Sequence, residues 1–109
     1  MIEILFKYTN EHILVVVKGN QVFFGNTEFG NQLATIDGLR LDYNGVINEF
    51  PDLKTDDNWK KIAIERFKKK ISSMITEEEV YEYILDELKK CGYVPLLKKK
   101  LGFRPIKIK

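Results

Sequence analysis

Apolar and polar residues alternate at the start of the chain: Ile2, Ile4 and Phe6 fall on one side of an extended segment, Glu3, Leu5 and Lys7 on the other. A period of two is what a pleated strand imposes on a sequence, because successive side chains point to opposite faces. After the polar break Thr9-Asn10-Glu11, the stretch Ile13 to Lys18, apolar without interruption as far as Val17, suits a strand covered on both faces, the central one of three. Gly19-Asn20 reads as a two-residue turn, and Gln21 to Phe24 returns as a third strand. These segments predict an antiparallel meander.

Residues 25–38 hold three glycines and two asparagines with no sustained period, and predict a loop with room for a brief helical turn. Beyond them Leu39 to Tyr43 alternates again, Asn44-Gly45 is the strongest short hairpin signal in the chain, and Val46 to Phe50 completes a second β-hairpin. Val46, Phe50 and Leu53 also lie at helical spacing, so strand and helix both stay open for 46–50, and Pro51 ends whichever forms.

The period then changes. Thr55 to Asn58 are capping types, and Trp59, Ala63, Phe67, Ile71 and Met74 recur at steps of four, four, four and three, the apolar stripe of an amphipathic helix. Thr76 with Glu79 forms a capping-box pattern that opens a second helix carrying Val80, Tyr83, Ile84, Leu88 and Cys91 on one face, and Gly92 stops it. Ser72 to Ile75 is too short a link for anything but an antiparallel helical hairpin. In the C-terminal stretch, Val94 to Leu97 and Phe103 to Ile108 read as extended pieces, the last able to join a sheet edge. The expected fold is therefore α+β over one domain, residues 1–109: an antiparallel β-meander plus a β-hairpin, packed by a two-helix antiparallel hairpin, with a short extended C-terminal segment.

Composition changes this picture little. In 109 residues, 44% apolar and 31% charged types are those of a globular chain, not of a disordered, collagenous or membrane one. The early apolar run is far below the roughly 20 residues that span a bilayer and lacks the basic start of a secretory signal, so a cytoplasmic location without membrane contact is expected. One cysteine, Cys91, and one histidine, His12, give neither an internal disulfide nor a zinc-ligand spacing. Cys91 sits on an apolar face, where a thiol is inert packing, and His12 reads as a surface residue. No phosphate-binding glycine loop, dinucleotide fingerprint or H-E-x-x-H pattern occurs, so no cofactor or metal is expected and the chain is read as non-enzymatic.

Charge carries the functional signal. Residues 1–56 hold four basic and eight acidic side chains, net −4, whereas residues 57–109 hold fourteen and eight, net +6. Lys60, Lys61, Arg66 and Lys68 to Lys70 lie on the first helix, and six of the last twelve residues are basic with none acidic. Lys89 and Lys90 suit a helix C-terminus, and a lysine-rich face is often only a solvated one. A basic stretch next to Tyr93 and Phe103, however, combines what a nucleic acid requires: cations for phosphates and rings for bases. The candidate contacts are Lys60, Lys61, Lys98, Lys99, Lys100 and Arg104 on phosphates, with Phe103 stacking. The competing expectation is a protein-interaction or structural module, with an acidic protein as partner or a second copy in a homo-oligomer. A third reading rests on Asp42, Asp52, Lys54 and Glu65, which resemble the short carboxylate-and-lysine pattern of restriction-type metal-dependent nucleases; Pro51 puts Asp52 in a loop where that pattern needs a strand.

Overall fold

The computed structural model describes residues 1–26 and 32–96. Three strands, β1 (Ile2–Tyr8), β2 (Glu11–Lys18) and β3 (Gln21–Asn26), form the expected meander. Two short strands extend it: β4 (Ala34–Thr35) pairs with β3 and β5 (Val94–Pro95) with β1, giving an antiparallel sheet of order β4-β3-β2-β1-β5. The central β2 explains its own sequence. Ile13, Val15 and Val17 face a buried core together with Ile4, Phe6 and Val22, while Leu14 and Val16 point to the other face. Both β2 turns use a positive φ at their first residue, 61° at Gly19 and 55° at Thr9.

All three helices lie on the Ile4–Phe6 face: α1 (Tyr43–Glu49), α2 (Trp59–Ser72) and α3 (Glu77–Lys90). Ala63, Ile64, Phe67 and Ile71 of α2, and Val80, Ile84 and Leu88 of α3, fill the core. The chain is α+β, and among the described residues no helix is long and apolar enough to cross a membrane. The capping box is formed: the Glu79 N–H donates to Thr76 Oγ1 (3.2 Å) and the Thr76 N–H to Glu79 Oε1 (3.0 Å). At the other end of α3, Gly92 adopts φ 95°, and the Tyr93 N–H reaches back to the Leu88 carbonyl (2.9 Å). That left-handed step satisfies the last carbonyls, and glycine takes it at the least cost. Four residues, 73–76, link α2 to α3, the Phe67 and Tyr83 rings meet at 6.3 Å, and α1 packs against both helices.

The second β-hairpin expected over residues 39–50 does not form. Leu39 and Leu41 are buried without strand partners, and Asn44-Gly45, expected as the hairpin turn, lies inside α1. Two interactions decide the outcome. Asp42 accepts a hydrogen bond from the Gly45 N–H (2.9 Å), capping the helix start. Gly45 is also buried where α1 crosses the end of α3: a Cβ there would stand 2.0 Å from the Lys90 carbonyl oxygen. Glycine therefore serves a close backbone approach, and its φ is not positive. The helical spacing of Val46 and Phe50 is the one realised, and Phe50, kept out of the helical region before Pro51 (φ −126°, ψ 77°), ends α1.

The expected cap of α2 is also displaced. Asn58 precedes Trp59 but makes no side-chain cap, and Asp56 instead accepts from the Asn58 N–H (2.8 Å) within the preceding turn.

Candidate nucleic-acid interface

The basic surface rests on α2, whose apolar stripe turns its lysines outward. Lys60 and Lys61 occupy its first turn, which contains no acidic residue and no side-chain cap. The first N–H groups of a helix lack intrahelical partners and carry the positive end of its dipole, so two ammonium groups there add charge of the same sign. Both side chains line a concavity of 480 Å³ with Asp37, Asp57, Asn58, Ile64 and Glu65. Lys61 also lines a neighbouring one of 400 Å³, together with Arg66 and Lys69.

The surface is of mixed sign, and its ion pairs determine which cations remain available. Arg66 holds Asp52 through two bonds of 2.7 and 3.1 Å and lies 4.9 Å over the Phe50 ring. Lys68 binds Asp37 (2.8 Å) and Glu65 (3.5 Å). These hydrogen bonds hold the Asp52 and Asp37 carboxyls below their ordinary range and raise Arg66 and Lys68. Among the described residues Lys60, Lys61, Lys69 and Lys70 enter no ion pair; Lys61, Lys69 and Lys70 are exposed and Lys60 is half-buried.

The remaining sequence candidates, Lys98, Lys99, Lys100, Phe103 and Arg104, lie outside the described residues, as does the expected strand Phe103 to Ile108. The chain approaches them from β5, on the sheet edge opposite β4. Alpha2 packs near that other edge, against the 3₁₀ turn Ile36–Gly38 that follows β4. Five strands spaced about 4.8 Å apart set those edges about 19 Å from one another, so the described chain does not bring Lys60 and Lys61 to the root of the basic C-terminal segment.

Tyr93 offers no stacking face. It is 2% exposed, stacks on Tyr8 at 4.3 Å, meets Phe6 edge-on at 5.6 Å, and donates its hydroxyl to the Arg40 carbonyl (2.8 Å). The other candidate chemistry is dispersed. Asp42 caps α1, Asp52 sits in a 3₁₀ turn bound to Arg66, and no group of three His, Cys, Asp or Glu side chains able to hold a metal occurs among the described residues. The nuclease-like set is therefore not assembled there. Burial, with Glu87, Asp42 and Glu49 nearby, pushes the Cys91 thiol up to about 12, far from the thiolate a nucleophile requires. His12 is exposed, opposite Lys7.

Two buried carboxylates escape the sequence reading. Glu87 is 3% exposed on the inner face of α3; burial and the nearby Glu49 raise its pKa, and Lys90, which binds Glu49 (2.8 Å) and Asp86 (3.4 Å), lies 3.7 Å from it. Its spacing from Val80, Ile84 and Cys91 is that of the apolar stripe, and that was the available signal. Glu3 is 5% exposed on β1, facing away from the helices beside Val16. No family model, no curated protein and no solved structure matches the chain.

Proposed function

We propose that this protein is a small non-enzymatic binding module that engages nucleic acid or another polyanion through α2 and its basic C-terminal segment. The observation that carries the reading is the start of α2: Lys60 and Lys61, both without an ion pair among the described residues, at a helix terminus with no acidic residue in its first turn. A phosphate at that terminus meets the positive end of the helix dipole and two ammonium groups together. Lys69 and Lys70 extend the positive surface along the helix, and Lys68 neutralises Asp37 and Glu65 on its rim.

Fluorescence anisotropy with generic single- and double-stranded oligonucleotides tests this. Binding at low salt that weakens in the Lys60→Gln/Lys61→Gln protein is expected. No binding at low salt, or binding indifferent to that double substitution, contradicts the role given to α2.

A second reading, self-association, is favoured by one feature. Leu5, Leu14, Phe23 and Val94 lie on the sheet face that carries no helix, and Val94 is 57% exposed. A mass that rises with concentration in light scattering would support it, and a monomer over a wide concentration range would remove it.

A further inference from the structure

Among the described residues the most exposed Phe, Tyr or Trp ring is Tyr43, at 38%. It opens α1 as Trp59 opens α2, and the two rings meet edge to face, 5.1 Å apart at 79°. The Tyr43 hydroxyl donates to the Lys54 carbonyl (2.6 Å), so the ring is held against Trp59 and tethered at its far end as well. A ring fixed in this way gives up little freedom when a flat ligand lies on it.

Cations stand on both sides of the pair. Lys54, exposed, is the residue that receives the Tyr43 hydroxyl, and Lys60 and Lys61 follow Trp59 directly; none of the three enters an ion pair among the described residues. The neighbouring carboxylates are mostly spent within the fold: Asp42 accepts the Gly45 N–H (2.9 Å), Asp56 the Asn58 N–H (2.8 Å), and Asp52 is bound by Arg66 (2.7 Å). Of these acids and Asp57, only Asp57 makes no such bond, and it lines the concavity that holds Lys60 and Lys61. A surface that recognised phosphate alone would favour a duplex, whose denser charge releases more counterions per contact. A ring between cations favours the opposite form, because duplex bases stack on one another and only an unpaired base has a face to give.

We infer that the ligand is a single-stranded nucleic acid, that one of its bases stacks on the Tyr43 ring with Trp59 as the wall behind it, and that Lys54 and Lys60 take the phosphates on either side of that base. The inference rests on the polyanion reading and narrows it from any polyanion to an unpaired strand. It also gives a role to two rings that join α1 to α2 without entering the fully buried core.

Trp59 is the one tryptophan of the chain, so its emission reports on this site in the native protein. The full chain is titrated with three probes of equal length: a single-stranded oligonucleotide, its duplex, and an abasic strand that keeps the phosphates and lacks the bases. The single strand is expected to bind tighter than the other two and to quench Trp59, and the abasic strand to bind without quenching. Tyr43→Leu, which keeps an apolar side chain beside Trp59, should weaken the single strand by about fivefold or more and leave the abasic strand unchanged, whereas Tyr43→Phe, which keeps the ring, should retain most of the affinity. Equal affinity for the single strand and the abasic strand with Trp59 unquenched, or a preference for duplex, would overturn the inference and leave the polyanion reading standing. Tyr43→Leu weakening both strands alike, or Tyr43→Phe losing as much as Tyr43→Leu, would overturn it too, by making Tyr43 only a support for the helices. No binding of any of the three probes would remove the polyanion reading, and this inference with it.

Discussion

Replacing Gly45 with alanine tests the contact that converts an apparent hairpin turn into a helix. The added Cβ would stand 2.0 Å from the Lys90 oxygen and 2.9 Å from both the Lys90 carbonyl carbon and the Cys91 Cα. Ordinary van der Waals contact begins at 3.4 Å, and the obstructing atoms are backbone. Either α1 or the end of α3 must move by more than an ångström, against the fully buried Val46 and the Glu49–Lys90 ion pair that hold them together. Overpacking of this kind costs about 3 kcal/mol, and alanine recovers about 1 kcal/mol of helix propensity, leaving a loss of about 2 kcal/mol. At about 2.1 cal/mol/K per residue over 109 residues, the thermal midpoint falls by about 9 °C. Circular dichroism melts of Gly45→Ala and of Asn44→Ala check this. Asn44 is exposed in the first turn of α1, so its substitution changes stability by less than about 0.5 kcal/mol. A Gly45→Ala protein at least as stable as the parent would refute the packing argument, and a large loss from Asn44→Ala would restore the hairpin.

Three further outcomes follow from the same structure. Thr9 holds φ 55°, a region costly for a β-branched side chain, and Thr9→Asn should stabilise by about 0.5–1 kcal/mol, read as a higher denaturant midpoint at unchanged slope. Tyr93→Phe removes the hydrogen bond to the Arg40 carbonyl and should cost about 1 kcal/mol; an unchanged melting curve would show that water replaces it. The Glu87 carboxyl is raised in the native state above its ordinary 4.5, so its contribution to stability is complete below pH 4.5 and is lost as pH rises through the native value. Glu87→Gln should flatten that decline in a pH series of urea melts, and an equally steep decline would place the pH dependence elsewhere.

Local periodicity made much of the fold legible. The meander, the α2 stripe, the Thr76–Glu79 box and the Gly92 stop each depend on neighbours within a few residues, and each is present in the structure. Residues 39–50 misled because Asn-Gly favours a turn only where nothing else claims the glycine; here a backbone distant in sequence, at Lys90, claims it. Tyr93 misled for a similar reason, since its burial depends on Tyr8 and Phe6 across the sheet. For the candidate interface, the sequence identified Lys60 and Lys61 as basic but not as uncommitted. The pairing of Arg66 with Asp52 and of Lys68 with Asp37 joins residues at least fourteen positions apart, beyond any helical period. Glu3 looked like the polar half of an alternating strand, and nothing local marks it as buried.

The most direct measurement for the polyanion reading is the salt dependence of oligonucleotide affinity for the native chain and for Lys60→Gln/Lys61→Gln. Each phosphate contact contributes about −0.7 to −0.9 to the slope of log K against log salt. Removing two should make the slope shallower by about 1.5 and weaken binding on unrelated sequences alike. A flat native slope, or one unchanged by the double substitution, would contradict the function assigned to α2.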